Sequence, residues 1–157
     1  MAGGVDVLAF GAHSDDVELG CGGLLIKLRR AGYRTAIVDL TQSELNSRAA
    51  PEVIAEEAAQ AAEVLGVEFR ERLDLGDAQL QDSFENRVRI AEIIRRYRPK
   101  LVLAPYFGDR HPDHAAAGTL VKNAQLYCRL KRLGGLPPPH APQLVLFYLM
   151  HDYVRPP

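Results

Sequence analysis

The sequence predicts an α/β protein: a mostly parallel sheet with helices on both faces, folded as a single domain over residues 1–157. Three observations carry this. Short apolar runs without polar alternation recur along the chain, as expected of strands buried on both faces. Segments with helical apolar spacing separate them. Glycine and proline punctuate the boundaries between the two patterns. Alternation of this kind implies right-handed crossovers between parallel strands.

The elements follow in order. Residues 5–11 form the first apolar run. A helix is expected over 22–31, with Leu24, Leu25, Leu28 and Ala31 on one face and Gly32 as its C-terminal cap. Residues 35–40 read as the second strand. Pro51 opens a helix whose buried stripe is Ile54, Ala58, Ala61 and Leu65, and Gly66 ends it. Residues 67–73 suit a short strand. The span 86–97 has Ile90, Ile94 and Tyr97 in helical register before Pro99. Residues 101–105 are a further buried strand, 114–133 a fourth helix, and 143–149 a last strand. In parallel sheets ligands sit beyond the carboxyl ends of the strands. That rule singles out the loops 11–22, 41–50, 74–83 and 106–114.

Composition sets the class. Of 157 residues, 47% are apolar and 25% charged, which is the balance of a globular chain. A formal charge of −1 lacks the basic surplus of a nucleic-acid binder. No apolar run approaches the roughly 18 residues of a membrane span. Residues 1–6 show neither the basic patch nor the apolar stretch of a signal peptide. Cys21 and Cys128, far apart, read as free thiols of a reducing compartment. The expectation is a cytoplasmic protein without nucleic-acid or membrane partners.

The first flagged loop reads Gly11-Ala12-His13-Ser14-Asp15-Asp16, and the fourth reads Gly108-Asp109-Arg110-His111-Pro112-Asp113-His114. Three of the chain's five histidines lie in these segments. A lone His or Asp after a strand is usually a cap or turn residue. Two such clusters, each at a strand's carboxyl end, point instead to a metal hydrolase. Imidazole nitrogen with carboxylate oxygen is a divalent-metal ligand set, most often for zinc. His13, Asp16 and one histidine of the second segment would complete three ligands. Asp15 and the other histidine would then stand beside the metal, placed for proton transfer and oxyanion stabilisation.

These two motifs resemble the signature pair of the LmbE-like, or GlcNAc-phosphatidylinositol de-N-acetylase, superfamily of zinc-dependent amide hydrolases. Asp39-Leu40-Thr41, Glu56-Glu57-Ala58 and Ala104-Pro105-Tyr106 also match in place, so the likeness spans nearly the whole chain. It is strongest for the branch that removes acetate from N-acetylglucosaminyl-malate in bacillithiol biosynthesis. The resemblance implies a Rossmann-like fold and one zinc ion per chain, held by His13, Asp16 and His114. It implies Asp15 as general base, His111 as polarising or acid group, and Asp113 as the residue orienting His111. The implied reaction is hydrolysis of the N-acetyl group of an N-acetylglucosamine conjugate by metal-activated water. A small amino-sugar conjugate as partner and a homo-oligomer are implied with it.

The chain departs from the family pattern at four points. Ser14 replaces a usual proline. Ser43 replaces a usual glycine, so a backbone that needs positive φ would be strained there. Ile54 stands where many relatives carry a substrate-facing arginine, with Arg48 as the candidate substitute. Relatives also continue past the last strand, so the C-terminal part of the family fold is expected to be absent, which predicts either an apolar edge near residues 144–148 covered by a partner chain or a fragment of a longer enzyme. Two alternatives follow: another metal-dependent hydrolase such as a phosphoesterase, or a catalytically incomplete metal- or sugar-binding subunit.

The remaining features have plainer readings. The glycines between Asp16 and Gly23 let the backbone turn into the first helix, in preference to a methyltransferase loop. Cys21 is expected to be buried and inert. The basic runs at 95–98 and 129–132 read as solvated helix ends. Arg110, beside His111, is a candidate contact for an anionic substrate group. His140 is expected to be exposed, and His151 is a minor site candidate.

Overall fold

A computed structural model describes residues 3–151; residues 1–2 and 152–157 lie outside the description. The elements run β1 (Val7–Gly11), α1 (Asp16–Arg30), β2 (Thr35–Asp39), α2 (Pro51–Leu65), β3 (Arg70–Arg72), α3 (Phe84–Tyr97), β4 (Leu101–Pro105), α4 (Pro112–Arg129) and β5 (Leu144–Tyr148). The strands form one sheet in the order β3-β2-β1-β4-β5, and each neighbouring pair is parallel. The chain first walks outward from β1 to β2 and β3, then returns to lay β4 on the other side of β1. The order therefore reverses between β1 and β4, which opens a crevice at their carboxyl ends. Both histidine-containing segments leave the sheet there.

The strands alternate their side chains between two cores, as a period of two requires. Leu8, Phe10, Ala36 and Val38 face one layer with Ile90, Ile93 and Ile94 of α3 and Leu120 and Val121 of α4. Val7, Ala9, Ile37 and Leu103 face the other with Val17, Cys21 and Leu25 of α1 and Leu65 of α2. The sheet is thus covered on both faces, as the unalternated apolar runs predict. The outer strand β5 keeps Leu144 and Leu146 about half exposed, at 51% and 44%. Among the described residues no helix is long and apolar enough to cross a membrane.

Three helices start earlier than expected; α3 does so by two residues, at Phe84, and the other two starts matter for the site. Helix α1 begins at Asp16, not at residue 22, so the first motif runs directly into a helical turn. The glycines that read as a turn are helical. Gly20 is there because the Tyr148 ring rests on it: a Cβ at Gly20 would stand 2.1 Å from a ring carbon. Tyr148 in turn donates its hydroxyl to the Phe10 carbonyl at 2.7 Å, locking β5 and α1 onto β1. Helix α4 begins at Pro112, with His111 as N-cap, and ends at Arg129 rather than near 133. Its end is set by Arg95, which donates to the Leu130 carbonyl at 2.7 Å and to the carbonyls of Tyr127 and Pro137. Arg95 is only 2% exposed, so it is a buried clamp between α3 and α4 and not part of a solvated helix end.

Gly118 fixes how close α4 lies to the end of β4. A Cβ there would stand 2.3 Å from the Pro105 carbonyl oxygen and 2.7 Å from the Phe107 nitrogen. Both are backbone atoms that cannot swing away. Gly118→Ala is expected to cost about 3 kcal/mol, the upper range of overpacking. For a chain of this size that lowers the melting temperature by roughly 6–12 °C, which calorimetry reads directly. The thiols carry a milder prediction. Burial pushes Cys21 and Cys128 up to about 12. Neither is expected to react with a thiol reagent at neutral pH until the chain is denatured.

Candidate metal centre

The site is built from the two segments at the switch point. After Gly11, the loop 12–15 turns back so that the Asp16 carboxylate accepts the N–H groups of Ala12 (2.8 Å) and His13 (2.9 Å) through Oδ2. This leaves Oδ1 aimed across the crevice at His114 Nε2, 3.1 Å away. His114 is the third residue of α4, and His111 caps that helix by accepting the Asp113 N–H at its Nδ1 (3.2 Å). His13 Nδ1 faces Asp16 at 3.7 Å. One ligand atom from each of His13, Asp16 and His114 therefore lies within 4.8 Å of the other two.

A second layer of carboxylates holds the imidazoles from behind. His13 Nε2 meets Asp113 Oδ2 at 3.1 Å and Asp77 Oδ1 at 3.2 Å. Beside two carboxylates the proton of the neutral ring sits on Nε2, so in that form the Nδ1 lone pair points at the centre. Asp109 Oδ1 stands 3.4 Å behind His114 Nδ1, a buried atom without a full hydrogen bond. The same Asp109 oxygen accepts the His111 N–H at 2.8 Å.

The electrostatics follow from this crowding of acids. Burial opposes a charge on His13, but the hydrogen-bonded Asp16 and Asp113, with Asp77 nearby, lift it to about 9. Burial also opposes a charge on Asp16, yet His114 and His13 hold its carboxyl far below the usual range. Burial and the neighbouring His114 and His13 lower His111. Without a metal, a proton on His13 does the work of a cation. The donor set of two imidazoles and one carboxylate, backed by three further aspartates, fits a divalent cation that takes that proton's place.

The centre lies on one wall of a cavity of about 400 Å³, the size of a small-ligand site. His13, Asp15, Asp16, His111, His114 and His151 line it, together with Ser43, Arg48 and Ile54. Asp15 occupies the N-cap position of α1 but makes no capping hydrogen bond, so its carboxylate remains available to the cavity. Arg48 is exposed and is the one Lys or Arg in the lining.

Three sequence expectations are corrected here. Asp113 does not orient the His111 ring: its carboxylate turns to His13 and to the Ala78 N–H (2.8 Å), while only its backbone reaches His111. Arg110 is exposed and outside the cavity lining, whereas the neighbouring His111 lines it. His140 is half-buried, with its ring nitrogen 2.7 Å from the Pro99 carbonyl, and belongs to no site. The serine departures belong together. Ser43 has φ +53°, the strained left-handed backbone expected for a glycine position. Its hydroxyl accepts the Ser14 N–H at 3.3 Å, a donor that a proline would lack. Asp77 and Asp109 carried no role in the sequence reading. Asp77 lies in the flagged loop 74–83, and Asp109 in the histidine segment itself, but each looks like a turn residue until the strands are placed side by side.

Comparison with known proteins adds independent findings. The sequence matches the PIG-L family, described as GlcNAc-PI de-N-acetylase, over residues 8–125. It is 34% identical to a diacetylchitobiose deacetylase of Thermococcus kodakarensis, covering 92% of this chain and 60% of that protein. It is 28% identical to a 4-oxalmesaconate hydratase of Pseudomonas putida, over 87% of this chain and 62% of the relative. The chain thus spans about three-fifths of the length of these two relatives. A crystal structure of a conserved protein from Thermus thermophilus superposes with a TM-score of 0.92 at 38% identity, covering 97% of this chain and 69% of the other.

Proposed function

The chain belongs to the PIG-L family of GlcNAc-PI de-N-acetylases, and from that premise we propose that it is a zinc-dependent enzyme releasing acetate from an N-acetylglucosamine conjugate. The observation that carries the reading is the convergence of His13, Asp16 and His114 in one cavity with Asp15 and His111. His13, Asp16 and His114 are the residues that would hold the metal. When bound, zinc supplies Lewis acidity toward a carbonyl and makes water a stronger acid.

The chain's own groups do the rest. Asp15, a carboxylate free of capping duty, accepts a proton from water and later delivers one to the departing amine. His111 accepts a backbone N–H at Nδ1, so in its neutral form the ring proton sits on Nε2. With its proton affinity lowered, the ring is a neutral donor near pH 7, suited to hold the oxyanion that develops on the acetyl carbonyl. Arg48, in the same cavity lining, is available to an anionic part of the conjugate.

The test is acetate release from a panel that includes diacetylchitobiose and N-acetylglucosaminyl-malate, with zinc measured on the same sample. One zinc per chain and acetate release are expected, and Asp15→Asn is expected to lose about 10²–10⁴-fold in rate. Protein purified without chelator that holds no metal would overturn the proposal, as would an Asp15→Asn enzyme of full activity. The Pseudomonas putida relative motivates a second reading, water addition to an unsaturated acid at the same centre. Consumption of 4-oxalmesaconate without acetate release from any conjugate would favour it.

A further inference from the structure

We propose that Asp77 is a positioning residue for the metal ligand His13, and that it ties the segment 43–46 of the cavity wall to that ligand. The inference rests on the metal-centre reading above. Asp77 uses both carboxylate oxygens. Oδ1 faces His13 Nε2 at 3.2 Å, and Oδ2 accepts the Leu45 N–H at 2.9 Å. Its own N–H donates to Glu44 Oε1 at 2.7 Å. Asp77 and the segment 44–45 therefore grip each other in both directions.

The turn that carries Asp77 is built at a cost. Gly76 has φ +89° and Ala78 φ +57°. A left-handed alanine costs roughly 1–2 kcal/mol, and such backbone persists where its surroundings demand it. Here the demand is visible: in that conformation the Ala78 N–H reaches Asp113 Oδ2 at 2.8 Å. Asp113 is the second carboxylate on His13 Nε2. One short turn thus supplies one acid to His13 and steadies the other. A carboxylate behind a metal-bound imidazole fixes the ring and strengthens its opposite nitrogen as a ligand. Asp113 makes the hydrogen bond to that N–H, and Asp77 adds a second negative charge beside it.

Asparagine tests the arrangement because it offers a single acceptor oxygen. In Asp77→Asn either His13 or the Leu45 N–H loses its partner. Zinc binding to the full chain, measured by competition with a chromophoric chelator, is expected to weaken about 10–100-fold, and Asp77→Ala is expected to weaken it further. Glu44→Ala changes an exposed residue, leaves the Asp77 carboxylate in place and is expected to weaken zinc several-fold. It decides the matter should the Asp77 variants not fold. A merely structural role predicts a lower melting temperature with unchanged zinc affinity, and that result in folded Asp77→Asn, or in Glu44→Ala, overturns the inference. Wild-type protein that binds no zinc overturns the metal reading itself. Tight zinc in the wild type and equal affinity in the variants overturns only the role of Asp77.

Discussion

If the proposed function holds, Asp16→Asn is expected to empty the centre and abolish acetate release. The substitution keeps the size of the side chain but removes the charge that makes two imidazoles and a carboxylate a cation site. It also removes an acceptor, because Asp16 serves Ala12 and His13 backbone donors with one oxygen and faces His114 with the other. Loss of a direct ligand should exceed the roughly 10–100-fold that an outer partner costs. Zinc content after dialysis and acetate release both read this. The metal-free protein gives a second reading. The depressed Asp16 carboxyl contributes stability that is present above its unfolded value of 3.8 and is lost as pH falls through its folded value. The raised His13 contributes stability that is full below its unfolded value of 6.5 and is lost as pH rises through about 9. Their pairing therefore stabilises the metal-free fold most in the window of roughly pH 4 to 6.5. Metal-free Asp16→Asn should melt well below metal-free wild type in that window, with the gap closing as pH approaches about 9. A constant gap from pH 5 to 10, approximately, would mean that the two groups are not coupled.

The fold was legible because burial on both faces leaves an unmistakable trace: Val7 to Gly11 and Leu101 to Pro105 are apolar without alternation. The helix ends were less so. The expected helix starts only at Gly22, leaving Gly20 in a turn, because glycine disfavours helices when nothing else is known. Only the ring of Tyr148, more than a hundred residues away, explains why a side chain is forbidden at Gly20. Arg95 shows the same limit. On paper it is one of four residues in a basic run, and its role as a buried clamp depends on where α4 ends.

The site was legible in its first layer and opaque in its second. His13, Asp15, Asp16, His111 and His114 announce themselves because two motifs fall at the carboxyl ends of strands that become neighbours. The residues behind them are single acids whose partners are set by topology. Asp113 stands close to His111 along the chain and yet serves His13, across the crevice. Asp77 follows a strand of only three residues and reaches His13 because β3 lies beside β2 and β2 beside β1. Sequence neighbourhood suggested the wrong partner for the first and none for the second.

Arg70→Met should be the most damaging change away from His13, Asp16 and His114. Arg70 lies beneath the site with its side chain 4% exposed, beside an Asp39 side chain that is wholly buried. Its guanidinium donates to Asp39 at 2.8 and 3.1 Å, to the Ser14 carbonyl at 2.6 Å, to the Ala58 carbonyl at 3.3 Å, and to Glu18. It thereby joins β3, the end of β2, the first motif loop, α1 and α2. Removing one partner of a buried pair typically costs about 3–5 kcal/mol, here roughly 6–20 °C in melting temperature. The pH dependence has a definite sign. Burial, with Glu18 adding to it, already lifts Asp39 to about 6 against the pull of Arg70, and without Arg70 it rises further. A raised folded value means stability that is full below the unfolded 3.8 and lost as pH climbs through the folded value. The gap between Arg70→Met and wild type should therefore be widest above pH 6, approximately, and narrow toward pH 4. The double variant Arg70→Met/Asp39→Asn separates the two jobs of the arginine. Without a stranded carboxylate it should regain much of the stability. It should not regain zinc affinity, because the Ser14 carbonyl that steadies the loop between His13 and Asp15 stays unheld. If stability and zinc affinity recover together, Arg70 acts on the centre only through the fold.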